Sequence, residues 1–559
     1  MITHALSHFL GTRWARRLTV AGTAFVTLAL LAQYSLDQAK AATPKSAAYR
    51  PRGERRIVMY YDPWMFGASV NPNRTPLLKD LSKNNPDQWK RAVEAVVDAH
   101  ASAEVDTIVH CVFAGFTHLF PPSFSKVAYH VEHSGCWGTS WGPPMKSLHE
   151  RGYDFVQIAL DRAHENGTTF IAALRMNDRH GCRQKERMYK EKPQWHLNGF
   201  AGGFDYAKPE VREAMLTFVG EVLEHYDVDG IEYDWLRWVH VFERGTERDN
   251  APLLTDFMRR TRQLLDEAGR RRGRRLLLGA RVPDVLEQCG AVGFDVEQWV
   301  RQSLVDYLVP SHFGHMDYNM RVEDFRRLTQ NTKCRIYPSM HGVYWTGHTR
   351  VGGFRPPHYR AAAHNFYAFG ADGIATYNYQ GGTMEQVLPR LRALTPMRDP
   401  KILAEYDRDY RFFRRRSSIV ASGEAALHYD VIHLDRAAEN PRGTFEFRLG
   451  EDLSNPKVAA TMRFVAVGAN EQDVISVELN GQKVAAEQVS RLYFWDGTQR
   501  SQGKERAKAG HEPYYEYSLL LSSPPMVFGA NELALSLSGS SGGEGVIRID
   551  DVQVAVHVR

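Results

Sequence analysis

Between residues 55 and about 395, short apolar runs alternate with amphipathic stretches, and this alternation constrains the fold more than any other feature of the chain. Eight runs can be read: RIVMYYD (56–62), VDTIVHCVFAG (105–115), TTFIAALRMND (168–178), VDGIEYDWLRW (228–238), RLLLGARVPD (275–284), VDYLVPSHFGH (305–315), CRIYPSMHG (334–342) and ADGIATYNY (371–379). Between them lie helix candidates such as PDQWKRAVEAVVDAHAS, PEVREAMLTFVGEVLEHY and APLLTDFMRRTRQLLDEAG, whose apolar residues recur at three- and four-residue spacing. Strands that alternate with helices form parallel sheets, and eight such units predict a (β/α)8 TIM barrel over 43–398. The even-numbered runs open alike, with Val105-Asp106, Val228-Asp229, Val305-Asp306 and Ala371-Asp372. A turn shared by alternate strands at the bottom of the barrel explains this repeat and makes those aspartates structural.

After residue 395 the pattern changes. A linker over 399–418, containing RDYRFFRRRSS, leads into short alternating runs such as GTFEFRLG, VAATMRFVAVGA, YYEYSLLL and NELALSLSG. These predict an all-β sandwich over 419–559, with Asn480-Gly481 as a tight hairpin turn. VELNGQKV and GANELALSL resemble the runs of galactose-binding-like jelly rolls, which implies a module that binds carbohydrate or braces the barrel.

At the other end, Arg13, Arg16 and Arg17 precede a mostly apolar stretch from Leu18 to Ala32, and Ala39, Lys40 and Ala41 form an A-x-A pattern. Residues 1–42 therefore read as a signal peptide, with an uncleaved anchor as the alternative. Export to the periplasm or the outside follows, and the Arg16, Arg17 pair suits a twin-arginine route. The net charge is +5, of which residues 1–42 hold +3, and the near-neutral remainder argues against nucleic acid as a partner. No later stretch is apolar enough to predict a membrane span. Five cysteines, an odd number with none after residue 334, do not make a disulfide scaffold, although Cys136 and Cys182 lie in loop-like sequence and could pair. Cys111 and Cys334 read as buried thiols.

The chemistry concentrates in the fourth run. Residues two apart on a strand share a face, so Gly230, Glu232 and Asp234 point the same way. If that way is inward, two carboxylates occupy an interior usually filled by Val, Ile and Leu, and they need partners or a proton. The third and fifth runs end alike, in Arg175-Met-Asn-Asp178 and Arg281-Val-Pro-Asp284. Arg175 and Arg281 then approach Glu232 or Asp234 from either side, where they would keep a carboxylate ionised or hold an anionic substrate group. Asp178 and Asp284 would stand across the mouth from Asp234, as in glycoside hydrolysis, where two carboxyl groups flank the scissile bond. Asn177, His312, His315, Asp317, His341, Tyr377 and Asn378 are candidate sugar contacts at the same mouth. The loops after the strands add Trp64, Trp137, Trp141, His180, Trp195, Tyr344 and Trp345 as candidates for contact with a sugar ring.

The stretch YDVDGIEYDWLRW, in a barrel followed by a β-sandwich, resembles the glycosyl hydrolase-like barrel proteins often described as family 10 glycosylhydrolases. It is also similar to the chitinase-type signature D-G-x-D-x-D-x-E. By that resemblance Glu232 and Asp234 match the two inner acids, whereas the chitinase general acid falls on Leu236, so a proton donor must come from another strand. The resemblance implies polysaccharide hydrolysis without fixing the linkage. The placing of the acids makes Asp234 the expected nucleophile or base and Asp178 or Asp284 the expected general acid, with Glu232, Arg175 and Arg281 tuning it. No cofactor is expected, and the paired arginines suit an acidic or sulfated glycan. Two other readings stand beside it: a non-catalytic carbohydrate-binding protein, and a metal-dependent hydrolase or deacetylase using His312, His315 and Asp317. Neither a phosphate-binding glycine loop nor a serine nucleophile elbow is present.

Overall fold

The structure is a computed structural model, which describes residues 56–61, 86–130, 149–178, 183–198, 203–236, 238–312, 316–341, 355–379, 384–412, 431–494, 514–520, 525–539 and 545–559. The apolar runs form one curled parallel sheet: β1 (Ile57–Tyr61), β2 (Thr107–Ala114), β3 (Thr169–Arg175), β4 (Gly230–Asp234), β5 (Leu277–Pro283), β6 (Tyr307–Ser311), β7 (Arg335–Ile336 with Ser339–His341) and β8 (Ile374–Tyr377). Each pairs with its chain neighbours, and β1 also pairs with β8. The seventh position is broken at Tyr337-Pro338, so its first half pairs with β6 and its second with β8. The two ends of the sheet thus meet within one short segment. Val109 of β2 and Val309 of β6 line the same small interior cavity, as expected of opposite walls.

Helices cover the outer face, which is why strands such as β2, β3 and β5 are buried throughout. They include α1 (Pro86–Ser102), α2 (Phe155–Glu165), α3 (Arg183–Glu191), α4 (Pro209–His225), α5 (Glu247–Arg272), α6 (Leu286–Ala291), α7 (Val296–Arg301), α8 (Val322–Thr329) and α9 (Pro356–Ala368). Their ends follow local chemistry. Asp154 caps α2 by accepting from the Val156 and Gln157 N–H groups. α5 begins with Glu247 and Asp249, ends with Arg270, Arg271 and Arg272, and stops on Gly273 at φ +66°.

The repeated aspartates act at the bottom of the sheet. Asp106 Oδ2 accepts from the Ile57 N–H at 2.9 Å, Asp229 Oδ2 from Phe170 at 2.8 Å, Asp306 Oδ2 from Leu278 at 2.8 Å and Asp372 Oδ2 from Ile336 at 3.0 Å. Each carboxylate ties the start of an even strand to the strand before it. Arginines meet the other oxygen: Arg398, Arg274, Arg275 and Arg335 in turn.

The C-terminal part is antiparallel. Its strands are β9 (Arg408–Phe412), β10 (Ile432–Asp435), β11 (Arg442–Leu449), β12 (Val458–Val467), β13 (Val474–Leu479), β14 (Gln482–Lys483), β15 (Val489–Phe494), β16 (Tyr514–Leu519), β17 (Gly529–Gly539) and β18 (Val546–Val558). One sheet runs β9–β18–β12–β16–β15 with β10 on β18, and the other runs β11–β17–β13–β14. Asn480 and Gly481 both have positive φ and join β13 to β14, as the dipeptide requires. The expected linker needs correction at its centre. Arg408–Phe412 is a strand paired along Val552–Val556, because Arg408 and Arg411 find buried acids in Glu451 and Asp551.

Cys111 and Cys334 are buried free thiols, as is Cys289. Cys136, Cys182 and the N-terminal apolar stretch lie outside the described residues. Among the described residues no helix is long and apolar enough to cross a membrane.

Candidate active site

Strand register sets Arg175, Asp234 and Arg281 side by side at the C-terminal ends of β3, β4 and β5. All three are buried, with Asp234 at 0% exposure. Arg281 Nη1 donates to Asp234 Oδ1 at 2.8 Å, and the Leu236 N–H donates to the same oxygen at 3.1 Å. Asp234 Oδ2 has no hydrogen bond and faces Arg175 Nε at 3.8 Å. That same Nε donates to Tyr60 Oη (3.2 Å), while Nη2 donates to Tyr377 Oη (2.9 Å) and Nη1 to Asp178 Oδ2 (3.3 Å). One guanidinium therefore separates Asp178 from Asp234. Arg281 also donates to Ser311 Oγ and lies 3.6 Å over the Tyr377 ring, a desolvated cation–π contact.

One layer deeper, Glu232 Oε2 accepts from Tyr307 Oη at 2.9 Å. Tyr307 reaches it because Gly279 leaves the space: a Cβ there would lie 2.1 Å from the tyrosine ring. Burial pushes the Glu232 carboxyl from 4.5 up to about 8; Tyr307 and Arg281 pull against this, and the charge of Asp234 adds to it. Burial likewise raises the Tyr60 hydroxyl well above its ordinary range. A cavity of about 10 Å³, the room one water needs, lies between Glu232, Arg281, Tyr60, Ser339 and Thr376. Thr376 Oγ1 is buried there without a hydrogen-bond partner. The deeper carboxyl is thus protonated at neutral pH, while the upper one faces two guanidinium groups.

The other expected residues divide. Asp284 is fully buried immediately after β5, and His341 lies 5.5 Å from the Tyr377 ring, on the same side as the arginines. His312 is buried at the end of β6, and Asn378 is half-buried at φ +51° after β8. Asn177 does different work from that expected. Its Nδ2 donates to the His240 carbonyl at 2.5 Å and its Oδ1 accepts from the Phe204 N–H at 2.7 Å, so both ends of the amide hold loop backbone. Asp317 Oδ1 accepts from the Asn319 N–H and so stabilises a turn. Trp195 is buried against Phe116 and anchors its loop.

Trp64, Trp137, Trp141, His180, His315, Tyr344 and Trp345 lie outside the described residues. The proposed ligand set His312, His315, Asp317 depends on one of them, and among the described residues no three His, Cys, Asp or Glu side chains gather for a metal. Sequence reasoning missed Tyr60 and Tyr307. The first was legible as the inward phase of RIVMYYD; the second depends on Gly279 of a neighbouring strand and has no local signal. It also passed over Trp238, whose backbone sits at φ +73° just after the Asp234 turn.

No protein family and no curated protein matches the chain. Among solved structures it is similar to α-L-fucosidase isoenzyme 2 from Paenibacillus thiaminolyticus, at 14% identity and a TM-score of 0.39, over 61% of this chain and 49% of that one. It therefore spans about half the length of that fucosidase. It is also similar to the PgaB (BpsB) glycoside hydrolase domain from Bordetella bronchiseptica, at 13% identity and a TM-score of 0.37, over 62% and 99% of the two chains. The α-L-fucosidase from Vibrio sp. strain EJY3 aligns at 9% identity and a TM-score of 0.38, over 90% and 96%. Likenesses this slight carry neither a fold nor an activity to this chain.

Proposed function

We propose that the chain is an exported glycoside hydrolase acting on a polysaccharide or oligosaccharide, with its parallel sheet as a closed (β/α)8 barrel and its acid centre at the ends of β3, β4 and β5. Asp234 is the nucleophile or base, and Asp178 or Asp284 is the general acid. One observation carries this reading: Oδ1 of Asp234 is held by Arg281 and the Leu236 N–H, while Oδ2 has no hydrogen bond and shares the Arg175 guanidinium with Asp178. An oriented carboxylate with one uncommitted oxygen and a second carboxyl close by is what displacement at a sugar carbon needs. The resemblance of YDVDGIEYDWLRW to family 10-type barrels supports it. Because both arginines already face carboxylates or protein hydroxyls, a neutral sugar fits better than the acidic or sulfated one suggested by their number alone.

Leu236, buried where the chitinase signature carries its acid, favours a second reading in which the mouth binds glycan without cleaving it. The two separate in one experiment. Asp234→Asn should lower the release of reducing ends from a polysaccharide panel by roughly 10³-fold or more. Circular dichroism would check folding, because the substitution also leaves Arg281 without its anion. Glycan binding by a wild-type protein that releases nothing would decide for the second reading.

A further inference from the structure

We propose that one fixed water in the interior cavity joins Tyr60, Glu232 and Thr376, and that through it Tyr60 and Thr376 are positioning residues for Arg175 and Asp234. The catalytic part rests on the hydrolase reading above; the water site does not. Three buried side chains, from β1, β4 and β8, line the same cavity of about 10 Å³, and among the described residues none of the three is hydrogen-bonded to another. Thr376 Oγ1 has no hydrogen-bond partner. The Glu232 carboxyl takes one bond among the described residues, accepted by Oε2 from Tyr307, and the Tyr60 hydroxyl takes one, accepted from Arg175. The threonine hydroxyl, the second carboxyl oxygen and the tyrosine proton are all left to be satisfied.

Buried polar groups are costly unless bonded, and a gap with room for one water and polar groups on several sides is where a water is held, commonly by about three bonds. Ser339 and Arg281 also line this gap, and Val58, Val109 and Val309 close the rest of its wall. Burial raises the Glu232 carboxyl to about 8, so at neutral pH it carries a proton that the water oxygen can accept. The bonds then continue to the acid centre. Arg175 Nε, which donates to Tyr60 Oη at 3.2 Å, is the atom that lies 3.8 Å from the uncommitted Oδ2 of Asp234. A tyrosine whose proton is anchored on the water turns a lone pair to Arg175 and keeps that guanidinium from closing onto Oδ2. The oxygen meant for the sugar stays open.

Thr376→Val, Thr376→Ser, Tyr60→Phe and the double variant with Thr376→Val and Tyr60→Phe test this. A high-resolution crystal structure of the wild type should show a water within hydrogen-bond distance of Thr376 Oγ1, and Thr376→Val should lose it. Urea midpoints should fall in Thr376→Val and in Tyr60→Phe, and the double variant should fall no further than the lower single one, because both act through one water. On whichever of laminarin, xylan, chitin and soluble starch is cleaved, kcat should fall about tenfold in both single variants with KM within about twofold, and Thr376→Ser should restore kcat to within about threefold. A wild-type cavity without a water, additive losses of stability, or an unchanged kcat would overturn the proposal. A water that is present and coupled in stability, in a protein that cleaves none of the four, would uphold the water site and remove its catalytic part together with the hydrolase.

Discussion

Glu232 shows how a single buried carboxyl ties stability to pH. Its folded value of about 8 lies above the 4.5 of an exposed glutamate, so between those values the folded state holds a proton that the unfolded state has released. Its stabilising contribution is complete below about pH 4.5 and disappears as the pH rises through 8. Glu232→Gln keeps an acceptor for Tyr307 and removes the titration, so the fall in melting temperature across that window should flatten, as calorimetry at several pH values would record. The inward pair Glu232 and Asp234 was legible from period two alone, and Arg175 and Arg281 from the matching strand ends. The roles of Asn177 and Asp317 were not, because an amide or carboxylate at a strand end looks the same whether it meets a sugar or a loop N–H.

At the scale of the element, the four aspartate clamps set the register of the sheet. Each adds a charged acceptor to a backbone N–H in the first two residues of an odd strand, a bond worth about 1.5–3 kcal/mol. Asp306→Ala should lower unfolding free energy in urea by about that amount, because Arg262 and Arg275 lose this partner but keep Asp266 as an anion. Their structural role was readable because the repeat falls on alternate strands, where a catalytic residue would not recur. The break in β7 was not readable, since CRIYPSMHG scans as one apolar run and only Pro338 hints at the interruption. RDYRF scans as linker for a related reason: arginines look solvated until their acids, here Glu451 just after β11 and Asp551 in β18, come into contact.

At the scale of the molecule, the antiparallel part is joined to the parallel part by buried polar groups. Arg408 makes a two-pronged bond to Glu451 at 2.6 and 2.8 Å; Tyr410 donates to the same carboxylate, and His364 of α9 lies 3.5 Å from it. His358 of α9 meets Asp409 at 2.9 Å, while Asn365 donates to the Arg448 carbonyl and accepts from the Gly450 N–H. Glu451→Ala should strand the buried Arg408 charge at a cost of about 3–5 kcal/mol. If the two parts melt together, scanning calorimetry will show one endotherm moving down; two separate endotherms would show independent units. The expectation of a module that either binds sugar or braces its neighbour thus gains weight on the bracing side. The same contacts bear on the seam of the curled sheet. Its strands pair in chain order except at the seventh position, which is split between its two neighbours at Tyr337-Pro338, and α9 is the helix that carries the chain from there to the eighth strand. By gripping α9, the C-terminal strands hold the helix that leads out of the split position, so the seam of the sheet is tied to a neighbour that adds no strand to it.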